Sequence, residues 1–328
     1  MRIVMMGTGP FAVPTFEALL ASRHEVPCLF TQPVRAMRGN RQPPPSPMRQ
    51  VAMDRVLPIH DPVSVNTPEA HAVLRDVAAD LMVVCDYGQI LSRETLGLTR
   101  LGGINLHGSL LPKYRGAAPV NWAIFHGEPE TGITVIHMTP KLDGGPALRQ
   151  VATPIGPDED AVSIEARLSQ LGVTAVLESI DLLEQHGPEN VPGQIQDPGQ
   201  VTQAPRLKKT DAEIDWTRSA QQIYNQFRAF QPWPGCYTHW QREGHPAARW
   251  IVTGACLPSD SELENIPAGQ PGTILSTADG KLLIATGNGV LALTEIQLAG
   301  KKPLPVESLL CGYPIQPGQC LVREPMVE

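Results

Sequence analysis

The first half of the chain alternates short apolar runs with segments whose apolar residues recur at helical spacing. The runs RIVMM, EVPCLF, DLMVVC and GGINLH are typical of strands, and their unbroken apolar character indicates strands covered on both faces. Residues 13–22, 67–79 and 160–185 show helical spacing, with Thr67 as an N-cap followed by Pro68. This alternation predicts an α/β fold built on a doubly wound, mostly parallel sheet.

The composition changes after Gln185 and marks a second region. Residues 188–205 contain few large apolar side chains and many Pro, Gly and Gln residues, which is typical of an interdomain linker. A helical stretch over 219–230 then precedes short alternating runs that are separated by the turn dipeptides DG at 279 and NG at 288. We therefore expect a domain over 1–187, a linker over 188–205 and a small C-terminal β-barrel domain over 206–328.

Length and composition exclude several classes of protein. With 328 residues, of which 42% are apolar and 18% charged, the chain is long enough for two folded domains and too apolar for intrinsic disorder. No run approaches the length of a membrane span, and glycines and prolines interrupt the N-terminus where a signal peptide would need an apolar core. A cytoplasmic monomer is expected. The net charge of −7 excludes a uniformly basic nucleic-acid binder but permits a local basic patch.

The six cysteines give no sign of a metal site. They are scattered without a CxxC pattern or a Cys/His ligand spacing, and most lie in strand-like apolar surroundings. We expect buried thiols and no bound metal.

A glycine-rich loop follows the first strand and suggests a nucleotide-binding turn. Residues 7–12 read GTGPFA, which fits the dinucleotide fingerprint G-x-G-x-x-A between a strand and a helix, so an NAD-dependent oxidoreductase has to be considered. That fingerprint needs an acidic residue after the second strand, where this chain has Thr31, Gln32 and Pro33. Pro10 also lacks the backbone N–H that a pyrophosphate would use. A structural role for the glycines, or an anion site at the start of the helix, is favoured.

Polar side chains at strand ends supply the candidate chemistry. In the strand GGINLH, Asn105 and His107 are two residues apart and therefore share one face at its carboxyl end, where ligands bind in open α/β sheets. The strand GITVIHM delivers Asp143 on a glycine-flanked turn, which we expect at the same edge of the sheet. Spacing alone leaves open a turn-capping Asn, a His satisfied in the core and a solvated carboxylate.

An amide, an imidazole and a carboxylate together suit acyl transfer. Asn105 and His107 can donate hydrogen bonds to a developing oxyanion while a carboxylate and the imidazole exchange protons. Ser109 lacks the G-x-S-x-G surroundings of an activated serine, so direct transfer to an incoming nucleophile is favoured over a covalent enzyme intermediate. His137, on an apolar strand, is expected to be structural.

At these residues the sequence resembles the folate-dependent formyltransferases. The segment NLHGSLLPKYRGAAP at 105–119 carries the resemblance, with LD at 142–143, and further matches run along the chain as GTGPFAVP, AEIDW, RAFQPWPG and AGKK. The resemblance implies a Rossmann-like catalytic domain, a C-terminal barrel similar to an OB fold, and 10-formyltetrahydrofolate as the formyl donor. By the same resemblance Asn105, His107 and Asp143 match the catalytic trio, and the folate-binding loop is matched by Ser109, Leu110, Leu111 and Pro112.

The resemblance also implies initiator methionyl-tRNA as the acceptor. The loop 33–50 contains four arginines and no acidic residue, and the equivalent family segment contacts the tRNA acceptor end. Phosphate contacts are therefore expected from this loop and from lysines of the second domain. The residues concerned are Arg35, Arg38, Arg41, Arg49, Lys208, Lys209, Lys301 and Lys302.

Three departures from the family pattern accompany this resemblance. The family often reads GTPDFA in the first loop, G-R-G in the basic loop and L-D-T-G-D at the acidic turn, whereas this chain has GTGPFA, MRGNRQ and LDGGP. A formyltransferase acting on a nucleotide-linked amino sugar shares NLHGSLLPKYRG and PWPG and stays open as an alternative acceptor class. A non-catalytic tRNA-binding scaffold is a further alternative. It is disfavoured because such a protein would not need the three polar residues that match the catalytic trio.

Overall fold

The computed structural model describes residues 1–34, 43–188, 192–242 and 244–323, which divide into two compact units. The first unit comprises Met1–Val120, Pro129–Ile155 and Ser163–Pro205, and the second comprises Asn121–Glu128, Gly156–Val162 and Arg206–Glu328. In the part of the chain that is described, no helix is both long enough and apolar enough to cross a bilayer.

The first unit is an α/β layer structure, as the apolar runs predict. Its strands are β1 (Ile3–Gly7), β2 (Leu29–Phe30), β3 (Ile59–His60), β4 (Leu81–Cys85), β5 (Gly103–His107), β6 (Arg115–Gly116), β7 (Glu130–His137), β8 (Ala147–Pro154) and β9 (Gln203–Ala204). The helices up to residue 186 are α1 (Val13–Ala21), α2 (Pro47–Asp54), α3 (Pro68–Val77), α4 (Arg93–Leu96), α5 (Pro119–Phe125) and α6 (Ala161–His186). Of these, α5 and the first two residues of α6 extend into the second unit.

Seven of these strands form one sheet in the order β3-β2-β1-β4-β5-β7-β8. The first five are parallel, whereas β7 and β8 are antiparallel additions at one side. Every residue of β1 and β4 is buried because helices cover both faces of a parallel sheet. This confirms the predicted doubly wound, mostly parallel fold. The strand order reverses between β1 and β4, which is where ligands bind in such sheets.

Local capping explains where the predicted helices begin. Thr67 Oγ1 accepts a hydrogen bond from the N–H of Ala70 (3.3 Å), and Pro68 occupies the first turn of α3. Helix α6 covers the strand that carries the candidate site, since a Cβ added at Gly172 would lie 2.4 Å from Leu106 Cδ2. The sequence therefore places β5 in direct contact with its covering helix.

The second unit contains an antiparallel, nearly closed barrel, which confirms the predicted C-terminal barrel. Its elements are α7 (Ala220–Ala229), β10 (Tyr237–Arg242), β11 (His245–Cys256), α8 (Asp260–Leu263), β12 (Ile274–Ser276), β13 (Leu282–Ala285), β14 (Val290–Leu298), β15 (Pro303–Pro305), α9 (Val306–Gly312) and β16 (Cys320–Val322). The strand order is β12-β13-β14-β11-β10-β16, and a bridge between Thr273 and Cys320 joins its two ends. The fully buried rings of Trp240 and Trp250 meet inside, with centroids 5.0 Å apart.

The expectation of buried thiols is wrong for two cysteines. Cys28, Cys85 and Cys236 are buried, Cys256 is half-buried, and Cys311 and Cys320 are exposed. The reason is the periodicity of the elements: on α9 and β16 the inward positions are taken by Leu309 and Leu321.

Candidate functional site

Strand β5 carries the two polar residues that the spacing singled out. Asn105 pairs with Val84 of β4 and with Ile136 of β7, so it lies in the middle of the sheet. The backbone alternation puts Asn105 and His107 on one face, while Ile104 and Leu106 occupy the other. His107 is buried and Asn105 is half-buried. Within the described ranges the Asn105 amide forms no hydrogen bond, which leaves it available for a ligand.

The contacts of His107 fix its ring. Its Nε2 lies 2.9 Å from the carbonyl oxygen of Tyr114, and since a carbonyl can only accept, Nε2 carries a hydrogen and donates it. The Nδ1 atom faces Asp143, whose Oδ2 is 3.8 Å away. This separation is too long for a hydrogen bond but short enough for a strong electrostatic interaction with a protonated ring.

Asp143 reaches His107 by a route that the strand pattern did not predict. Because β7 runs antiparallel to β5, with His137 opposite Ile104, its carboxyl end lies at the amino end of β5, so the direction of the strand does not by itself bring Asp143 to His107. The turn between β7 and β8 carries the carboxylate back, with Asp143 itself in the left-handed region (φ 47°). Its Oδ2 accepts a hydrogen bond from the N–H of Gly116 (2.9 Å), and the side chain is 9% exposed.

The loop matched to folate binding is held by two residues that sequence reasoning missed. Thr134 Oγ1 donates to the carbonyl of Ser109 (2.7 Å) and accepts from the N–H of Leu111 (3.1 Å). Gln150 Nε2 donates to the carbonyl of Leu111 (2.9 Å) and to Thr134 Oγ1 (3.0 Å). Ser109 and Leu111 are buried, so the loop can present to a ligand its main chain and the half-buried Leu110 and Pro112.

The glycine loop after β1 is shaped by a carboxylate. A Cβ added at Gly9 would lie 1.7 Å from Asp86 Oδ2, so a larger residue would force this carboxylate to move. The N–H of Gly9 donates to the Asp86 carboxylate, and this lowers its pKa, but the larger effect of burial raises it. The structural interpretation of the glycines thus has a physical basis, and a carboxylate at this turn disfavours a pyrophosphate. The one sequence signal for Asp86 is its position directly after the buried run LMVVC.

The carboxyl group of Glu165, on α6, interacts with that of Asp86. Burial, and to a smaller extent the charge of Asp86, raises the pKa of Glu165 from 4.5 to about 6. The folded state therefore binds more protons than the unfolded state between those pH values, and stability falls as the pH rises through that window.

Replacing Glu165 with glutamine is expected to stabilise the protein by about 1–2 kcal/mol at pH 7.5, because the costly buried charge is removed. The gain should vanish at about pH 4, where the carboxyl of the wild type is mostly protonated in both the folded and the unfolded state. Urea unfolding of Glu165→Gln at both pH values, with Glu17→Gln at an exposed position of α1 as control, measures this. Equal effects of the two variants, or a gain that persists at pH 4, contradict the assignment.

The structure locates five of the eight basic residues expected to contact tRNA. Lys208, Lys209, Lys301 and Lys302 are exposed on the second unit. Arg49 lies on α2 rather than in a loop. Its side chain is only 15% exposed, and its Nη2 lies 2.6 Å from Asp61 Oδ2, an ion pair that was not predicted because the segment 33–50 contains no acidic residue. The other three, Arg35, Arg38 and Arg41, lie outside the described residues.

Metal-ligating side chains do not come together within the ranges that the structure covers: no group of three or more His, Cys, Asp or Glu is arranged to hold an ion. His137, expected to be structural, has its Nε2 2.9 Å from the carbonyl oxygen of Leu101.

Comparison with known proteins identifies two family models in the chain. The model described as Formyl transferase matches residues 1–180, and the one described as Formyl transferase, C-terminal domain, matches residues 206–314. Methionyl-tRNA formyltransferase of Rhodopirellula baltica is 42% identical over 333 residues, covering 98% of this chain and 97% of the relative. The protein of the same name from Geobacter sulfurreducens is 41% identical over 333 residues, covering 100% and 99%.

Solved structures share the fold at lower identity. HypX from Aquifex aeolicus in complex with tetrahydrofolic acid has a TM-score of 0.62 and 17% identity over 94% of this chain, which spans 47% of HypX. The sugar 3N-formyl transferase WlaRD, crystallised with dTDP and 5-N-formyl-THF, has a TM-score of 0.62 and 16% identity, covering 92% of this chain and 99% of WlaRD. At these identities the similarity concerns the fold alone.

Proposed function

Because the chain belongs to the formyl transferase family, we propose that it transfers the formyl group of 10-formyltetrahydrofolate to the α-amino group of initiator methionyl-tRNA. Relatives named methionyl-tRNA formyltransferase, about 40% identical over nearly the full chain, support this acceptor. The observation that carries the chemistry is the 3.8 Å separation of His107 Nδ1 and Asp143 Oδ2, with the unpaired Asn105 amide two residues before His107 on the same face of β5.

The amine needs positioning more than activation. A free α-amino group titrates at about 7.7 to 8.0, so part of it is neutral near pH 7. Its nitrogen forms a bond to the formyl carbon while the bond from that carbon to folate N10 breaks; the amine loses one proton and N10 gains one. Asn105 donates to the formyl oxygen as that oxygen gains negative charge.

His107 has one nitrogen left for the reaction. Since Nε2–H is donated to Tyr114, the ring can donate to the formyl oxygen only from Nδ1, and only when it carries both protons. The Asp143 carboxylate, 3.8 Å from Nδ1, compensates that positive charge and is the group placed to accept the amine proton.

The remaining assignments follow from the same proposal. The folate would contact the loop of Ser109, Leu110, Leu111 and Pro112, through its main chain and its half-buried side chains. Arginines of the loop 33–50 and the four lysines would contact tRNA phosphates, and Arg49 would do so with its guanidinium already paired to Asp61. We place the enzyme in the cytoplasm as a monomer without a metal; the domain boundaries at 187 and 205 stay predictions.

Binding of methionyl-tRNA is expected to weaken steeply with salt because each lysine that meets a phosphate releases a counterion. If the four lysines each meet one phosphate, affinity falls about 50- to 150-fold between 50 and 200 mM salt. Filter binding at several salt concentrations measures the slope. The double variant Lys301→Gln, Lys302→Gln should lower the magnitude of the log–log slope by about 1.4 to 1.8. A dissociation constant that is equal at both salt concentrations contradicts phosphate binding.

Parallel assays of three acceptors test the proposed function. The protein receives 10-formyltetrahydrofolate with methionyl-tRNA, with a nucleotide-linked amino sugar or with glycinamide ribonucleotide. Formylation of methionyl-tRNA at least 100-fold faster than of the other two supports the proposal. Preferred formylation of the amino sugar nucleotide would assign the enzyme to the alternative acceptor class, and no transfer to any amine would overturn the chemistry itself.

A further inference from the structure

Gln196 connects a buried arginine to the turn that carries Asp143. The Arg115 guanidinium donates from Nε (3.1 Å) and Nη2 (2.6 Å) to Gln196 Oε1, and Arg115 is only 5% exposed. Gln196 Nε2 in turn donates to the carbonyl oxygens of Asp143 (2.8 Å) and Gly145 (2.7 Å). Both ends of one amide are thereby used, and their partners lie 81 and 51 to 53 positions away in sequence.

The segment around Gln196 is held in place on both sides. The N–H of Gln194 donates to the carbonyl of Ala147 (2.8 Å), and β9 pairs with β6 further along. Between them, Thr202 Oγ1 accepts from the N–H of Tyr114 (2.8 Å), the residue whose carbonyl holds His107 Nε2. Residues 194–204 therefore contact the backbone of both residues that face the His107 ring, Tyr114 and Asp143, although their composition predicts a linker.

We propose that Gln196 is a positioning residue that holds the Asp143 carboxylate at its working distance from His107; the inference rests on the proposed function. Asp143 adopts a left-handed conformation on the turn between β7 and β8, and two hydrogen bonds from Gln196 fix the backbone on each side of Gly144. Arg115 fixes the orientation of the amide, because its two N–H groups need the oxygen of Gln196 and leave the nitrogen facing the turn.

The substitution Gln196→Glu keeps the contact with Arg115 and removes the contact with the turn that carries Asp143. A carboxylate keeps the acceptor for Arg115, with added charge, but it replaces the two N–H donors by an oxygen that faces two carbonyl oxygens. The turn should move away from His107 while Arg115 stays paired. Gln194→Glu is the matched control, since it introduces the same charge two positions away at an exposed side chain.

Steady-state kinetics of the two variants test the role. We expect Gln196→Glu to lower kcat about 10- to 100-fold, because a shift of about 1 Å at a reacting group is worth that much, and to change KM for either substrate less than about 2-fold. Gln194→Glu should match the wild type. In an Asp143→Asn background, Gln196→Glu should add less than about a 2-fold loss, because a residue that acts through Asp143 has nothing left to position.

Three results would overturn the proposal: kcat equal for both Glu variants, a change confined to KM, or a full further loss in the Asp143→Asn background. Thermal unfolding of each variant identifies loss of fold. If Gln196→Glu does not fold, Gln196→Met, which keeps the side-chain length without the amide, replaces it in the same measurements in the wild-type and Asp143→Asn backgrounds. Activity of the wild type distinguishes a failure of the proposed function from a failure of the proposed role of Gln196. If it does not formylate methionyl-tRNA, the proposed function is wrong, and the same cycle is measured with the acceptor that it does formylate.

Discussion

Replacement of Asn105 with alanine is expected to lower turnover about 10²- to 10³-fold, the usual cost of losing one donor to an oxyanion. The amide is half-buried at the centre of β5, beside β4 and β7, and it forms no hydrogen bond with the protein in the described ranges. A polar group left unpaired in such a place is available to a substrate. The loss should appear in kcat, since the charge on the formyl oxygen develops only during reaction.

Two further measurements distinguish loss of the Asn105 hydrogen-bond donor from loss of packing. Asn105→Leu keeps the number and branching of the side-chain heavy atoms and removes the donor, so it should lose as much turnover as Asn105→Ala. Thermal unfolding then verifies that both variants remain folded. Turnover within about 3-fold of the wild type, in a folded Asn105→Ala protein, would refute the oxyanion role, since one lost donor should cost at least about 10²-fold.

Replacement of Asp143 with asparagine is expected to lower turnover about 10²- to 10³-fold, within the range that a positioned acid–base group contributes. The amide oxygen of asparagine can still accept from the N–H of Gly116, so the turn keeps its anchor. What is lost is the negative charge 3.8 Å from His107 Nδ1 and the group that accepts a proton from the amine. The loss of turnover in Asp143→Asn therefore measures the contribution of the negative charge and not that of the side-chain shape.

The matched control removes a carboxylate away from the site. Asp76→Asn, at an exposed position of α3, makes the same chemical change and should leave turnover at the wild-type value. Single-turnover formylation with saturating substrates measures the chemical step for both variants. An Asp143→Asn enzyme as fast as Asp76→Asn would show that the carboxylate has no part in proton transfer or charge compensation.

The elements that local physics determines could be predicted from the sequence. Unbroken apolar runs predicted β1 and β4 because parallel strands are buried on both faces. Capping predicted the start of α3 at Thr67, whose hydroxyl accepts from the N–H of Ala70, and helical spacing predicted α7, which begins after Ser219. The run EVPCLF became a strand only at Leu29–Phe30, since Pro27 has no N–H to donate to a neighbour.

The candidate site was predictable where it depends on one strand. Side chains of a strand alternate between its two faces, so the spacing of Asn105 and His107 predicted that they share one face. Asp143 was singled out correctly as a neighbour of His107 but by a wrong argument, because the direction in which β7 pairs is not encoded in its own pattern. The resemblance to the formyltransferases supplied what local physics did not.

Contacts between distant segments could not be predicted. Gln196 lies in a stretch rich in Pro, Gly and Gln, which by composition is typical of a linker, and its partners are far away in sequence. Asp86 and Glu165 come from a strand end and a helix and interact only in the folded chain. Asp61 likewise pairs with Arg49 although it lies outside the arginine-rich segment 33–50.

The most direct test of the account follows a labelled formyl group. The protein is mixed with 10-formyltetrahydrofolate that carries the label in its formyl carbon, first alone and then with methionyl-tRNA. Direct transfer predicts no label on the protein in the first mixture, and label on the α-amino nitrogen of methionine in the second, at a rate that Asn105→Ala lowers about 10²- to 10³-fold. Label that accumulates on the protein, or a methionyl-tRNA that stays unlabelled, would contradict it.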